Sequence, residues 1–191
     1  MGADGQVSPD ASAAHIAERM EIPVGTRIGF KAYAAAMYKR RTPGAKRDPA
    51  RQWALPDRVF FAAGACHILA HVFLEQYPHS GFEAKWIRPA SGHTGNHIVV
   101  VRDDGYVFDY HGFSDWPRYW THAVRRANQW WPGWSADVVS IQMDALVSRR
   151  RARQYEGLWM KEPQEFLFDP VLRARRYLQK FPAPPATAAA G

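Results

Sequence analysis

The residues best suited to chemistry in this chain are its single cysteine, Cys66, and a histidine and an aspartate that follow it. Cys66 stands in Phe60-Phe61-Ala62-Ala63-Gly64-Ala65-Cys66-His67, at the expected start of an apolar helix. His97 opens the run His97-Ile98-Val99-Val100-Val101, and Asp109 closes Tyr106-Val107-Phe108-Asp109 ahead of Tyr110-His111-Gly112. A thiol becomes a strong nucleophile when a helix N-terminus and a nearby imidazole stabilise its thiolate. The imidazole in turn needs an acceptor on its other nitrogen to fix its orientation. The order Cys, His, Asp supplies these parts for attack on a carbonyl carbon. The competing use of a lone cysteine is as a small buried apolar side chain.

The pairing of His97 with Asp109 depends on a turn. Residues 97 to 101 and 106 to 110 are two β-branched and aromatic runs separated by Asp103-Asp104-Gly105, a hairpin pattern. A two-residue turn at Asp104-Gly105 puts Asp109 opposite Val100 and facing away from His97. A loop of all three residues, with Gly105 left-handed in a bulge, puts Asp109 opposite Val99 and on one face with His97, Val99 and His111. Imidazole and carboxylate are then diagonal neighbours at a Cβ separation of roughly 7 Å, within reach of a hydrogen bond. Aspartates followed by glycine suit the second loop and also permit the first.

The nucleophile needs a helix. From Cys66 the chain runs Ile68-Leu69-Ala70-His71-Val72-Phe73-Leu74 and stops at Pro78, a broad apolar surface that packs against a sheet. Gly64 and Ala65 allow close backbone approach, and the backbone N–H of Cys66 would help hold an oxyanion.

A cysteine at the start of a central helix, with His and then Asp on adjacent antiparallel strands, resembles the papain-like and transglutaminase-like cysteine hydrolase superfamily. The resemblance covers about residues 53–115 and rests on Gly64-Ala65-Cys66-His67, on Gly95-Asn96-His97-Ile98-Val99-Val100 and on Asp104 to Gly112. It implies an α+β, papain-like fold in which the central Cys-bearing helix packs on an antiparallel sheet bearing His and Asp. It also implies acyl transfer through a thioester on a peptide or protein amide, without a cofactor, with Cys66, His97 and Asp109 as the triad. The papain branch usually has an upstream glutamine as oxyanion donor, and Gln52 is the upstream glutamine near the site. The transglutaminase branch usually has tryptophan directly after the nucleophile, where this chain has His67.

A metal site is the rival use of His93, His97, Asp109 and His111. His-x-x-x-His suits a metal when it lies on a helix, and Ser91 to Asn96 reads as a loop; no Cys-x-x-Cys or His-Glu-x-x-His spacing occurs. No metal is therefore expected. His111 reads as a reserve partner for Cys66 or a substrate contact.

Two further features invite a binding role. Five tryptophans lie between Trp116 and Trp134, and Trp116 and Trp120 are the ones expected to wall a substrate groove; the competing reading is that these rings cover the sheet. The formal charge is +7, and Arg149, Arg150, Arg151, Arg153, Arg173, Arg175 and Arg176 make the C-terminal third basic. That patch is a candidate surface for an acidic partner, or simply a solvated helix face, and no zinc-finger, RRM or P-loop signature favours nucleic acid.

The 191 residues are expected to form one domain over 1–181: a helical N-terminal part at 9–41, a catalytic core at about 53–142 and C-terminal helices at 143–180, followed by a disordered tail at 182–191. Within that frame, residues 9–20 and 30–41 read as helices, 42–52 as a basic loop, 82–88 and 137–142 as strands, 143–155 as a helix, and Asp169-Pro170 to Lys180 as the last helix. No apolar run is long enough to span a membrane, and no basic region followed by an apolar stretch marks a Sec signal. A lone cysteine forms no internal disulfide, so the expected location is the cytoplasm, or another cell reached through a specialised secretion system.

Overall fold

The computed structural model describes residues 48–186; the expected helices at 9–20 and 30–41 and the end of the tail lie outside the described residues. Helix α1 (Pro49–Trp53) starts where Asp48 accepts hydrogen bonds from the amides of Ala50 and Arg51 and Pro49 takes the first turn. The expected loop at 42–52 is therefore helical at its end, because Asp-Pro is a helix start as well as a loop signal. Helix α2 (Asp57–Ala62) follows, then a turn at Gly64 with φ of +133°, and then α3 (Cys66–Gln76).

In α3, every residue from His67 to Leu74 except His71 is buried, as expected of a helix that is apolar nearly all round. It ends at Tyr77, ahead of Pro78, whose ring disfavours helical backbone at the preceding residue.

Among the described residues the sheet has five antiparallel strands, β1 (Phe82–Pro89), β2 (His97–Arg102), β3 (Tyr106–Asp109), β4 (Gly112–Asp115) and β5 (Ala136–Ile141), in the order β4-β3-β2-β1-β5. The class is α+β. Ile98, Val100 and Phe108 face the main core with α3. Their strand neighbours Val99 and Val107 join Ile87 and Trp134 in a second cluster on the other face, as strict alternation requires. Helix α4 (Trp116–Asn128) covers that second face; Asp115 caps it through the Arg118 amide, and Pro117 occupies its first turn.

The hairpin register resolves the turn. Val100 pairs with Phe108 and Val101 with Val107, so Asp103-Asp104-Gly105 is a three-residue loop. Gly105 has φ of +89° and its N–H donates to the Arg102 carbonyl at 2.9 Å. That left-handed glycine is what the bulge loop demands.

After β5 the expected helix at 143–155 is split into a 3-10 turn (Met143–Leu146) and a single helical turn, α5 (Arg149–Ala152). Ser148 breaks it: its backbone is extended and its hydroxyl accepts from the Arg151 amide, restarting the helix instead of continuing it. A second 3-10 turn (Pro163–Glu165) leads to α6 (Pro170–Leu178), which Asp169 caps as the sequence predicts. Arg173 on α6 donates to Asp57 and to the carbonyls of Trp53 and Leu55, tying the end of the chain to α1 and α2. In the tail, residues 182–186 have no regular secondary structure, yet buried Arg102 donates to the Pro185 carbonyl at 2.6 Å. No helix among the described residues is long and apolar enough to cross a membrane.

Candidate active site

Cys66 is the first residue of α3, His97 the first of β2 and Asp109 the last of β3. Because β2 and β3 are antiparallel neighbours, the start of one and the end of the other share one end of the sheet, and α3 presents its N-terminus there. Phe73 of α3 stacks on Phe108 at 4.6 Å between ring centroids, so the helix carrying the thiol is packed directly against the residue preceding Asp109.

The His97 Nε2 lies 3.3 Å from Asp109 Oδ2. The other carboxylate oxygen, Oδ1, accepts the backbone N–H of His111 at 2.7 Å across the turn to β4. With Nε2 turned to the carboxylate, Nδ1 is the nitrogen left for Cys66, on whose thiol the charge of His97 acts. Tyr110 packs edge-on against the His97 ring at 5.3 Å.

The electrostatics follow from this chain of contacts. Burial pushes the Cys66 thiol up, but the charge of His97 and hydrogen bonds from His67 and His97 outweigh burial and bring it well below the ordinary thiol range. Burial pushes His97 down, while the Cys66 charge and the Asp109 carboxylate raise it to about 9. Burial would raise Asp109; its hydrogen bond from His97, the charge of His97 and the hydrogen bond from the His111 backbone hold it below the usual carboxylate range. The three groups therefore favour thiolate, imidazolium and carboxylate together.

At the entry to α3 lies a donor set suited to an oxyanion. Ala65 gives α3 no side-chain cap, and the first amides of a helix have no partner within it. Gln52, 4 % exposed, accepts Lys161 Nζ at its Oε1 (2.8 Å). Its Nε2 lies 3.3 Å from the position a Cβ would take on Gly64, two residues before the nucleophile. The His67 Nε2 donates to the Lys161 carbonyl at 2.9 Å.

The loop that delivers His97 is held by two indoles: Trp86 Nε1 donates to Asn96 Oδ1 at 2.8 Å, and Trp134 Nε1 to the Thr94 carbonyl at 2.8 Å. Tyr119 of α4 is raised well above the ordinary phenol range, first by burial and then by the charges of Asp109 and Cys66, so it stays neutral beside the triad.

Of the residues singled out from the sequence, Cys66, His97, Asp109 and Gln52 converge. His111 holds Asp109 through its backbone, while its Nδ1 accepts from Arg58. Burial, with Arg58, His97 and Arg126 adding to it, lowers its imidazole to about 4. That ring is neutral and its accepting nitrogen is occupied, which does not suit a reserve base. Trp116 and Trp120 stack on each other at 5.5 Å and pack on the second apolar cluster, so sheet covering accounts for both. In the basic third, Arg149 pairs with Glu165, Arg151 with Asp144, Arg173 with Asp57 and Arg175 with Glu75, whereas Arg150, Arg153 and Arg176 are exposed.

Lys161, Tyr119 and Arg58 had no signal in the sequence. Lys161 reaches Gln52 across 109 positions, a pairing that only tertiary structure creates. Among the described residues no three His, Cys, Asp or Glu side chains are arranged to hold a metal ion. No protein-family model matches the chain, and neither curated proteins nor solved structures provide a match.

Proposed function

We propose that this protein is a cysteine-dependent acyl-transfer enzyme of papain-like or transglutaminase-like type, acting on peptide or protein amides. One observation carries the reading: Cys66, His97 and Asp109, each at the terminus of its own element, meet at one end of the sheet, with His97 hydrogen-bonded to Asp109 and its charge acting on the Cys66 thiol. In the reaction the Cys66 thiolate attacks the amide carbonyl, the C–S bond forms, and the carbonyl oxygen becomes an oxyanion facing the Gln52 N–H group and the start of α3. The tetrahedral species collapses to a thioester as His97 gives its proton to the departing amine. Water then attacks the thioester with His97 as base, releasing the acid and restoring the thiolate. An amine in place of water makes the same site a transamidase.

The test is the rate at which iodoacetamide alkylates Cys66 between about pH 4 and about pH 9, where a free thiol would lose its thiolate over the lower half of the range. Fast alkylation persisting at acid pH in the native protein, and lost in His97→Ala, is the expected result. Alkylation that tracks an ordinary thiol and ignores His97 overturns the proposal and turns attention to Arg150, Arg153 and Arg176 as a docking surface for an acidic partner.

A further inference from the structure

Resting on the acyl-transfer reading above, we infer that Lys161 is a positioning residue of the oxyanion site, orienting and polarising the Gln52 amide toward the nucleophile. A carboxamide has two faces of similar shape, one accepting and one donating, and only the donating face stabilises an oxyanion. The Lys161 ammonium, 2.8 Å from Oε1, removes the ambiguity. An ammonium donates and never accepts, so the amide oxygen must face it and the NH2 group must face the other way, which is toward Gly64. The opposite flip would bring two donors together. The bond is also charge-assisted: withdrawing electron density from Oε1 makes the N–H on the far side a better donor.

Lys161 is itself held in place. Its carbonyl accepts from His67, the residue after the nucleophile, and its ammonium lies over the Phe166 ring at 5.2 Å, a favourable cation–aromatic geometry. The chain just beyond it is closed by a capping box between Glu162 and Glu165, and Arg149 bonds to both of those glutamates. One residue from the C-terminal third thus touches Gln52 by its side chain and, by its backbone, His67, the residue after the nucleophile.

Two probes separate this role from general support of the fold. With p-nitrophenyl acetate, the Cys66 sulfur attacks the carbonyl, an oxyanion forms, p-nitrophenolate leaves, and an acetyl thioester remains. With iodoacetamide, sulfur displaces iodide at a saturated carbon and no oxyanion forms. Lys161→Met should lower acylation by about tenfold and Gln52→Ala by about a hundredfold, in keeping with the loss of an oxyanion donor, while alkylation and its pH profile stay as in the native protein. The double variant should be no slower than Gln52→Ala alone, because Lys161 acts through Gln52.

Should Lys161→Met fail to fold, Lys161→Arg, which keeps a charged donor, and Lys161→Gln replace it, with acylation expected in the order native, Arg, Gln. Acylation and alkylation falling together, multiplying losses in the double variant, or no loss in the replacement series overturns the role of Lys161 and leaves the triad standing. A native thiol that alkylates like a free cysteine removes the acyl-transfer reading and the Lys161 role with it.

Discussion

Asp109 divides its carboxylate between two donors, giving Oδ2 to the His97 Nε2 at 3.3 Å and Oδ1 to the His111 backbone N–H at 2.7 Å. The backbone bond fixes the plane of the carboxylate, and that plane fixes the imidazole. An asparagine cannot meet both demands, having a single acceptor oxygen. If that oxygen keeps the His111 amide, the NH2 faces Nε2 and forces the ring into the tautomer with its proton on Nδ1, which cannot accept a proton from the thiol. Asp109→Asn should therefore fold normally yet acylate with p-nitrophenyl acetate at least about a hundredfold more slowly, and as much as about 10⁴-fold, the penalty for a wrong tautomer in a triad. A variant with near-native acylation would show that Asp109 does not orient His97.

The pH dependence follows from the pair and not from either residue. Reactivity needs the thiolate, which exists above a Cys66 value depressed well below the thiol range, and the protonated His97, which persists until about 9. Turnover of an amide, whose amine must leave protonated, should thus show an acid limb below the ordinary thiol range and an alkaline limb near pH 9, where loss of the imidazolium leaves the departing amine without a proton. Alkylation needs no proton donor and should show the acid limb alone. The two profiles measured on one preparation check this; an alkaline limb near neutrality would mean that His97 is not raised.

Gly112 closes the turn that supplies the His111 amide to Asp109. Its φ is +95°, and a Cβ there would stand 2.9 Å from two carbons of the Phe181 ring. Gly112→Ala meets both a disfavoured backbone region and a packed aromatic ring, so a stability loss of about 2 to 4 kcal/mol is expected. Because the turn also carries Tyr110 against His97, alkylation of the variant at acid pH should weaken as well. Chemical denaturation with an unchanged midpoint would show that Phe181 yields freely.

Much of this site was legible because its parts lie in short, strongly patterned segments. The bounds of α3 follow from a continuous apolar run ending before Pro78, and α6 starts at Asp169-Pro170 as its capping chemistry requires. The hairpin was legible up to a choice between two turns, which Gly105 and the register of Val100 on Phe108 decide. What the sequence left hidden is held by long-range contact. Nothing local marks Lys161 as the partner of Gln52, or Arg102 as the anchor of Pro185. Helix α4 was missed because its aromatic residues match a groove wall and a sheet cover equally well, and only packing on Val99 and Val107 separates the two.

The same kind of contact predicts where the fold is most vulnerable. Arg173 is largely buried, lies over the rings of Trp53 and Phe60 at 4.8 and 4.1 Å, and donates to Asp57, Trp53 and Leu55. It is the bolt between α6 and the two short helices α1, which carries Gln52, and α2. Arg173→Met keeps much of the apolar stem but takes the Arg173 donor from two carbonyls and leaves the Asp57 carboxylate with Lys180 alone, a loss of about 2 to 4 kcal/mol. The Asp57 carboxyl, although raised by burial, is held below its ordinary value by hydrogen bonds from Lys180 and Arg173. A carboxylate lowered in the folded state stabilises above its unfolded value, and that stabilisation is lost as pH falls through the folded value. The melting temperature of Arg173→Met should consequently lie several degrees below native at neutral pH, about 2 to 4 °C for each kcal/mol lost. The gap should narrow as the medium is acidified below the carboxylate range. A gap independent of pH would mean that the stacking on Trp53 and Phe60, and not the charge pair, holds α6 in place.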